Sequence, residues 1–221
     1  MDFSSFSPAL VVTTVVGLAM APFVAVMVTS FTKIVVVLSL LRNALGLQQV
    51  PPNVVINGLA IILSIYVMNP VILATYDAVN GKMQEQPAAP MDVDRMLDLV
   101  EAGKEPLRAF LIRHSSEQER AFFLSSAQRL LPEERRASVG IDDYVVVVPA
   151  YTVSELTAAF QIGFLIFLPF LIIDLVVSNI LLAMGMMMLS PTTVSLPFKL
   201  LLFVFLDGWA KLVHGLILTY R

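Results

Sequence analysis

Three long stretches of this 221-residue chain carry no charged side chain, and they constrain its fold more than any other feature. They cover residues 3–32, 43–76 and 175–198. A helix needs about 20 mostly apolar residues to cross the hydrocarbon core of a bilayer. Only 14% of the residues are charged, against about a quarter in ordinary soluble domains. The sequence therefore predicts an all-α integral membrane protein, because helices satisfy their own backbone hydrogen bonds in apolar surroundings.

The charged residues are concentrated in the middle of the chain. Residues 77–143 hold 13 of the 17 acidic and 9 of the 14 basic side chains, a net charge of −4. We therefore predict apolar helices over 1–76, a small polar helical domain over 77–143, and an apolar hairpin region over 144–221. There is no basic block of the kind that binds nucleic acid, so no nucleic-acid partner is expected.

Prolines and glycines predict where the N-terminal helices end. Pro22 predicts that the first apolar block, residues 9–41, is either a kinked long helix or two short ones. One glycine and two adjacent prolines predict a loop over residues 42–52. The next helix is expected over residues 53–75.

Capping residues predict helices in the polar domain. Asp92 is an expected N-cap after a proline-rich linker over residues 86–90. Apolar side chains then recur at helical spacing along residues 93–111. Ser116, followed three residues later by Glu119, matches a capping box that opens another helix.

The C-terminal region contains further helix-breaking residues. Residues 144–148 are compatible with a strand or with the start of a buried helix, and periodicity does not decide between them. Pro169 lies near the middle of residues 151–189, which predicts a bent helix or a tight hairpin. A last segment is expected over residues 196–220.

Signatures of catalysis are missing from the sequence. There is no phosphate-binding loop, no Gly-x-Ser-x-Gly and no His-Glu-x-x-His motif. Cysteine is absent, which excludes thiolate chemistry. His114 and His214 have no neighbouring ligand cluster in the sequence. We therefore expect neither an enzyme nor a bound cofactor or metal.

Charged residues within the apolar regions are the first candidates for a functional role. An ionised side chain at the centre of a bilayer costs at least about 2.5–3.5 kcal/mol, so it persists where it faces protein, water or a partner charge. Such groups could line a seam or pore between subunits, or pair within one helical bundle, and the residues alone favour neither alternative. On one continuous C-terminal helix, four of them would form a polar stripe. The intramembrane charges are Lys33, Glu155 and Asp174, and the stripe consists of Lys199, Asp207, Lys211 and His214.

A run of methionines is the second candidate. Met186, Met187 and Met188 follow Gly185, which loosens the helix at this point. Methionine is unbranched and adapts its shape to its neighbours, so a ring of such side chains could seal a pore around varied cargo. Ordinary packing against a core or lipid is the alternative.

Several sequence motifs resemble those of the SctR/FliP family of type III secretion export-apparatus proteins. The resemblance runs from about residue 30 to the C-terminus in matching order, and the polar domain matches mainly in position and character. The motifs are residues 39–46, 49–53, 149–156, 159–164, 169–174, 184–188, 195–199 and 207–209.

The resemblance implies a core subunit of the export gate, through which unfolded proteins leave the cytoplasm. It implies bent helical hairpins, a pentamer of this chain and two smaller membrane partners. It further implies that Met186–Met188 close the pore, and that Glu155 pairs with Lys199 between neighbouring subunits. The chain begins close to its first apolar block, which favours an injectisome over a flagellar member.

Arg42 lies in the 42–52 loop with Lys33 nearby, and Lys199 lies in the 190–199 turn. These positive charges predict that both the loop and the turn face the cytoplasm. Residues 77–143 and both termini would then be periplasmic, in the inner membrane of a Gram-negative host.

Two other functions are weighed against that of an export-gate subunit. A secondary transporter of small solutes would use Asp174, Glu155 and Lys199, but no repeat relates the two apolar halves. A membrane-anchored binding module would leave the intramembrane charges unexplained.

Overall fold

The computed structural model describes residues 8–85 and 93–221, and every regular element within these ranges is a helix. The predicted all-α class is confirmed. The predicted N-cap at Asp92 and the linker over residues 86–90 lie outside the described residues. The helices, in chain order, are α1 (Pro8–Met27), α2 (Phe31–Ala44), α3 (Asn53–Glu85), α4 (Val93–His114), α5 (Glu117–Leu130), α6 (Glu133–Arg136), α7 (Tyr144–Ala183), α8 (Pro191–Phe205) and α9 (Gly208–Leu218).

The first apolar block forms two helices, but the break is not at Pro22. Pro22 lies inside α1, and the chain turns by 61° between α1 and α2, across residues 28–30. A proline removes one helical hydrogen bond, whereas a break in apolar surroundings frees several backbone groups. At the break, the Thr32 hydroxyl donates to the Val26 carbonyl at 2.9 Å. The side chain thus supplies a partner for a carbonyl at the end of α1.

Helix α3 begins at residue 53 as predicted and passes through Pro70. It continues beyond its predicted end at residue 75 as far as Glu85. Its polar extension packs closely against α4. A Cβ placed on Gly103 of α4 would lie 3.3 Å from Cγ2 of Val79. This close approach of the two helices stabilises a helical conformation that the local sequence did not indicate.

The helix start predicted at Ser116 is confirmed, but only one of the two bonds of a capping box forms. The Ser116 hydroxyl accepts a hydrogen bond from the Glu119 backbone N–H at 3.2 Å. A capping bond of this kind contributes about 1 kcal/mol to helix stability. The Ser116 N–H in turn donates to the Ser154 hydroxyl at 2.9 Å, which ties the polar segment to α7.

Residues 144–148 form the first turn of α7, which settles the choice between strand and helix. Helix α7 passes through both Pro149 and Pro169, so of the two alternatives predicted at Pro169 the tight hairpin is excluded and a single helix remains. The chain reverses further on, at residues 184–190. The last segment is two helices, because α8 and α9 meet at a 62° bend beside Asp207.

Helix α2 lies at the centre of the fold, between α3 and α7. A Cβ on Gly163 of α7 would lie 2.2 Å from Cδ1 and 3.1 Å from Cβ of Leu40, so any larger residue here would force Leu40 to move. The α2–α7 contact sets the spacing of the central helices. The buried cluster around it contains Ile34, Val37, Leu38, Ile56, Ala60, Leu63, Ala159 and Leu216.

The chain exposes far more surface than a self-contained protein of its size. Its accessible surface is 14916 Å², whereas a folded monomer of this length exposes about 10,000 Å². By length and composition, α3 and α7 can each cross a membrane, and residues 8–85 and 93–221 hold up to four candidate spans if the α1–α2 and α8–α9 pairs each count as one. At 1.5 Å per residue α7 is about 60 Å long, about twice the hydrocarbon thickness. Lipid alone therefore cannot cover the whole length of α7.

We expect Gly163→Ala to destabilise the protein by about 1–3 kcal/mol, because the added methyl group forces α2 away from α7. Thermal unfolding of the detergent-extracted protein measures this. Gly58→Ala in α3 is the matched control, because its Cβ meets nothing within 4 Å. Combining Gly163→Ala with Leu40→Ala should recover much of the loss. Equal effects of the two glycine substitutions would contradict the packing role of Gly163.

Candidate functional site: buried ion pairs and a methionine turn

The first site is an ion pair buried between α2 and α7. Nζ of Lys33 lies 3.0 Å from Oε1 of Glu155, and each side chain is only 3% exposed. Removing one partner of such a pair costs about 3–5 kcal/mol, because the other charge is left buried without compensation. The pair therefore locks α2 and α7 in one relative position.

Tyr220, beyond the end of α9, completes this site. Its hydroxyl hydrogen-bonds to Oε2 of Glu155, and Nζ of Lys33 lies 3.6 Å from the centroid of its ring. The ring thus provides a cation–π contact and the hydroxyl provides a hydrogen bond. Beside it, the Ser30 hydroxyl donates to the Ser64 hydroxyl at 3.2 Å, linking α2 to α3. Three parts of the chain, α2, α7 and the C-terminus, thus meet at these two charges.

The polar segment docks onto the same site through aromatic rings. The ring centroid of His114, the last residue of α4, lies 4.7 Å from that of Phe110 and 5.1 Å from that of Tyr220. Phe110 also contacts the fully buried Tyr151, at 5.8 Å between centroids. The helical polar segment is thereby coupled to the ion pair in the apolar region.

Burial, together with the positive charges of Lys33 and Arg113, lowers the pKa of His114 from 6.5 to about 4. A helix C-terminus ordinarily favours a protonated histidine. Here the loss of hydration outweighs that effect. His114 is therefore neutral at physiological pH.

The second site joins α7, α8 and α2. Nζ of Lys199 lies 2.6 Å from Oδ2 of Asp174 and donates to the Ala44 carbonyl at 3.2 Å. The Ser195 hydroxyl donates to Oδ1 of Asp174 at 2.5 Å. Ser195 and Lys199 are four residues apart and so share one face of α8. Because Ala44 ends α2, the lysine also compensates the negative end of that helix.

The methionine run lies at the tip of the α7–α8 hairpin. Gly185 has a φ of +71°, and its N–H donates to the Leu182 carbonyl at 3.0 Å. The N–H of Met186 donates to the Leu181 carbonyl at 2.9 Å. These two bonds form a Schellman motif, in which a left-handed glycine ends a helix. Gly185 therefore ends α7 and directs the methionines outward.

The methionine side chains are uncovered in the single chain. Their exposed fractions are 41% for Met186, 80% for Met187 and 101% for Met188. An apolar groove of about 520 Å³ between α7 and α8 leads up to the same turn. An apolar tip of this kind marks a surface that meets another apolar surface.

Glu155 and Lys199 do not lie together within the chain. Glu155 pairs with Lys33, and Lys199 pairs with Asp174. Their pairing with each other between subunits stays a prediction. Sequence reasoning singled out all four charges but missed Ser195 and Tyr220. The i, i+4 spacing to Lys199 could have indicated Ser195, whereas no local pattern indicates Tyr220.

The polar stripe required one continuous C-terminal helix, and that prediction is wrong. Lys199 is buried on α8, whereas Asp207 precedes α9 and Lys211 and His214 lie on it with exposed side chains. Asp207 and Lys211 are four residues apart, but a pair between them is not among the ion pairs of the described residues. The stripe is therefore split by the bend at Asp207.

These features define a class of protein. Apolar helices of membrane-spanning length are fixed by buried ion pairs, while long apolar faces and a methionine turn are left uncovered. This is a helical membrane-protein subunit whose surface is completed by its surroundings.

The chain matches the FliP family over residues 13–216. It is 53% identical over 203 residues to Yop proteins translocation protein R of Yersinia pestis, with 92% of each chain covered. It is 49% identical over 206 residues to hypersensitivity response secretion protein HrcR of Ralstonia nicotianae, covering 93% of this chain and 94% of that protein. It is 45% identical over 203 residues to virulence protein YscR of Salmonella typhimurium, with 92% of each covered.

The chain belongs to the FliP family, whose members are components of the multi-subunit type III secretion export apparatus. The resemblance inferred from the motifs is thereby confirmed. The relatives carry names that refer to secretion, translocation or virulence, which favours the injectisome type over the flagellar type.

Lys199 pairs either with Asp174 of its own chain or with Glu155 of a neighbouring subunit. The two alternatives differ in which second substitution restores secretion. We expect Lys199→Glu to abolish secretion, because a second carboxylate then faces Asp174. Adding Asp174→Lys should restore secretion, since the pair is re-formed in the same chain with its charges exchanged. Adding Glu155→Lys should not, because the new lysine would face Lys33. If Glu155→Lys but not Asp174→Lys restored secretion to the Lys199→Glu variant, Lys199 would instead pair with a neighbouring subunit.

The free energy of unfolding should fall as the pH drops from about 6.5 to about 4. In that window the unfolded chain binds a proton at residue 114, which the folded chain excludes. We expect His114→Phe, which keeps the aromatic stacking, to gain stability relative to the unsubstituted protein as the pH falls from 7 to 5. Chemical denaturation at several pH values measures the difference.

The control for this comparison is His214→Phe, because His214 is exposed on α9. Its stability difference from the unsubstituted protein should not change over the same pH range. A constant difference for His114→Phe as well would refute the coupling between His114 and folding.

Proposed function

We propose that this chain is a core subunit of the type III secretion export gate of an injectisome. Copies of the chain, with two smaller membrane subunits, form a pore that passes unfolded proteins across the bacterial inner membrane. A pentamer of the chain is the assembly that the family resemblance favours. The observation that carries this proposal is the uncovered methionine turn, held at the tip of a hairpin whose register is fixed by an ion pair.

The chemistry of the turn suits a seal that opens for varied cargo. Met187 and Met188 project from the scaffold, and their unbranched thioether side chains change shape at little cost. Around a common axis, copies of this turn would bring many such side chains together and exclude water and ions. A translocating chain of any sequence could separate them, because no specific hydrogen bonds close the seal.

The anchoring of the turn supports the same role. Asp174 receives bonds from Ser195 and Lys199 of α8, and Lys199 also reaches the end of α2. This fixes α8 against α7 and α2, so the tip keeps its position when cargo displaces the methionines. A rigid hairpin with a soft tip can open locally and close again.

The uncovered surface supports assembly. Within the chain, only 11% of the most hydropathic 18-residue stretch of α7 is buried. The corresponding share for α3 is 28%. Helix α7 is too long for the bilayer to cover it entirely, so neighbouring subunits cover the remainder. The polar segment of α4–α6 lies on the periplasmic side in this arrangement, and the loop after α2 faces the cytoplasm.

The proposed role requires no catalysis by this chain. The chain has no nucleotide-binding motif, so energy for export comes from other components of the apparatus. Within residues 8–85 and 93–221, no three His, Asp or Glu side chains are grouped as metal ligands. The charges that a solute transporter would use, Glu155, Asp174 and Lys199, are each engaged in ion pairs.

Replacing Met186, Met187 and Met188 together with alanine should make the closed gate leak small ions, while the assembled complex remains intact. The smaller side chains can no longer fill the space at the axis. Ion flux through the purified complex in liposomes measures the leak, and a native gel measures assembly. Met83→Ala with Met96→Ala is the matched control, because both methionines are exposed but lie in the polar region. An intact complex that stays as tight as the control would refute the seal.

A further inference from the structure

Exposed methionine sulfur is concentrated at the turn between α7 and α8. Four of the 11 methionines of the chain lie within residues 184–188. Among the described methionines, Met187 and Met188 are the most exposed, at 80% and 101%, whereas Met68 in the core is 6% exposed. A Cβ built on Gly185 would meet nothing within 4 Å, so the described part of the chain leaves the start of the turn open.

A seal built from this turn meets water on both of its sides. In the proposed gate it separates two aqueous compartments, so the methionine side chains at its two edges stay hydrated while the gate is closed. Hydrogen peroxide is uncharged and little larger than water. It therefore reaches these thioether sulfur atoms without opening the gate, whereas it reaches the buried Met68 only when the core opens.

We propose that Met187 and Met188 are a modification site, where hydrogen peroxide oxidises the thioethers to sulfoxides and makes the closed gate leak. The leak rests on the proposed function, because only a turn that seals a pore lets ions through when its polarity changes. The modifying reactant is a small neutral oxidant, which needs no binding pocket on the protein.

The oxidation needs no reactant besides the peroxide. A lone pair of the thioether sulfur attacks one peroxide oxygen, the O–O bond breaks, and hydroxide leaves. The hydroxide takes the proton of the new S–OH group and becomes water, which leaves methionine sulfoxide on the protein. The sulfur loses two electrons and the peroxide gains them. Methionine sulfoxide reductases reverse the step, with two thiol groups that become a disulfide.

A sulfoxide is incompatible with a dry seal. It makes a flexible apolar side chain polar, and a polar oxygen buried without a hydrogen-bond donor destabilises its site. The neighbouring groove between α7 and α8 offers no side-chain donor, because its lining is apolar and includes Ile180, Val194 and Phe198. Each sulfoxide oxygen therefore retains water, and the retained water gives ions a path across the seal.

Oxidation leaves the hairpin that carries the turn unchanged. The N–H groups of Gly185 and Met186 hold the backbone of the turn on carbonyls of α7, and the pair of Asp174 and Lys199 holds α8 against α7. No methionine sulfur takes part in these bonds. The assembled complex should therefore survive oxidation, and only the tightness of its closed state should change.

Peroxide treatment of the purified complex in liposomes tests the proposal. Mass spectrometry should find one added oxygen on Met187 and on Met188 well before Met68 gains any. Ion flux should rise by about tenfold or more as the sulfoxides form, because the closed seal is destabilised, while a native gel shows an intact complex. Methionine sulfoxide reductases with a dithiol should return the flux to its starting value.

Leucine variants separate the turn from the other methionines. Met186→Leu, Met187→Leu and Met188→Leu together keep an apolar turn of similar volume without sulfur, so this complex should stay tight in peroxide. Met83→Leu with Met96→Leu is the matched control, because both methionines are exposed but lie in the polar region. This control should leak in peroxide as the unsubstituted complex does.

Three results would overturn the proposal: unoxidised Met187 and Met188 after Met68 has reacted, no leak once both are oxidised, or an equal leak in the leucine variant of the turn. The alanine variant of the turn distinguishes these failures from failure of the proposed function. If the alanine variant leaks and the oxidised complex does not, the seal stands and only the oxidation site is wrong. If neither leaks, the proposed seal is wrong as well.

Discussion

The fold depends on how two opposite charges are buried among apolar helices. Lys33 and Glu155 are almost inaccessible and 3.0 Å apart, and neither charge can leave without stranding the other. This requirement fixes α2 against α7, and the Tyr220 ring and hydroxyl draw the C-terminus onto the same point. Apolar helices slide past one another easily because dispersion contacts have no direction. The ion pair removes that freedom.

A second ion pair fixes α7 against α8, nearer the C-terminal end of α7. Asp174 accepts from two side chains of α8, and Lys199 extends the contact to the final carbonyl of α2. The two ion pairs hold α7 at separate points along its length. Between them, Gly163 lets Leu40 of α2 approach α7 closely. What remains unconstrained is the turn beyond Gly185, where adaptable methionines stand exposed. Rigidity and softness are thus assigned to different residues of one hairpin.

The polar segment is connected to this framework through rings. Phe110 and His114 of α4 stack on Tyr151 and Tyr220, which surround the first ion pair. A displacement of α4 would therefore expose Lys33 and Glu155 to water or to other partners. Export apparatus proteins of the FliP family act in multi-subunit assemblies. The aromatic contacts therefore tie the polar segment to the central helices.

The sequence by itself determined the fold class, the start of α3, the cap of α5, the family and the identity of the charges that matter. These follow from local quantities: the absence of charge over a spanning length, the spacing of apolar residues and the reach of a capping hydroxyl. The tertiary structure decided which charges pair, that α7 passes through Pro169 and that the last segment bends at Asp207. Those outcomes depend on neighbours distant in sequence, because a proline or a lone charge is tolerated only where another part of the chain supplies what it lacks.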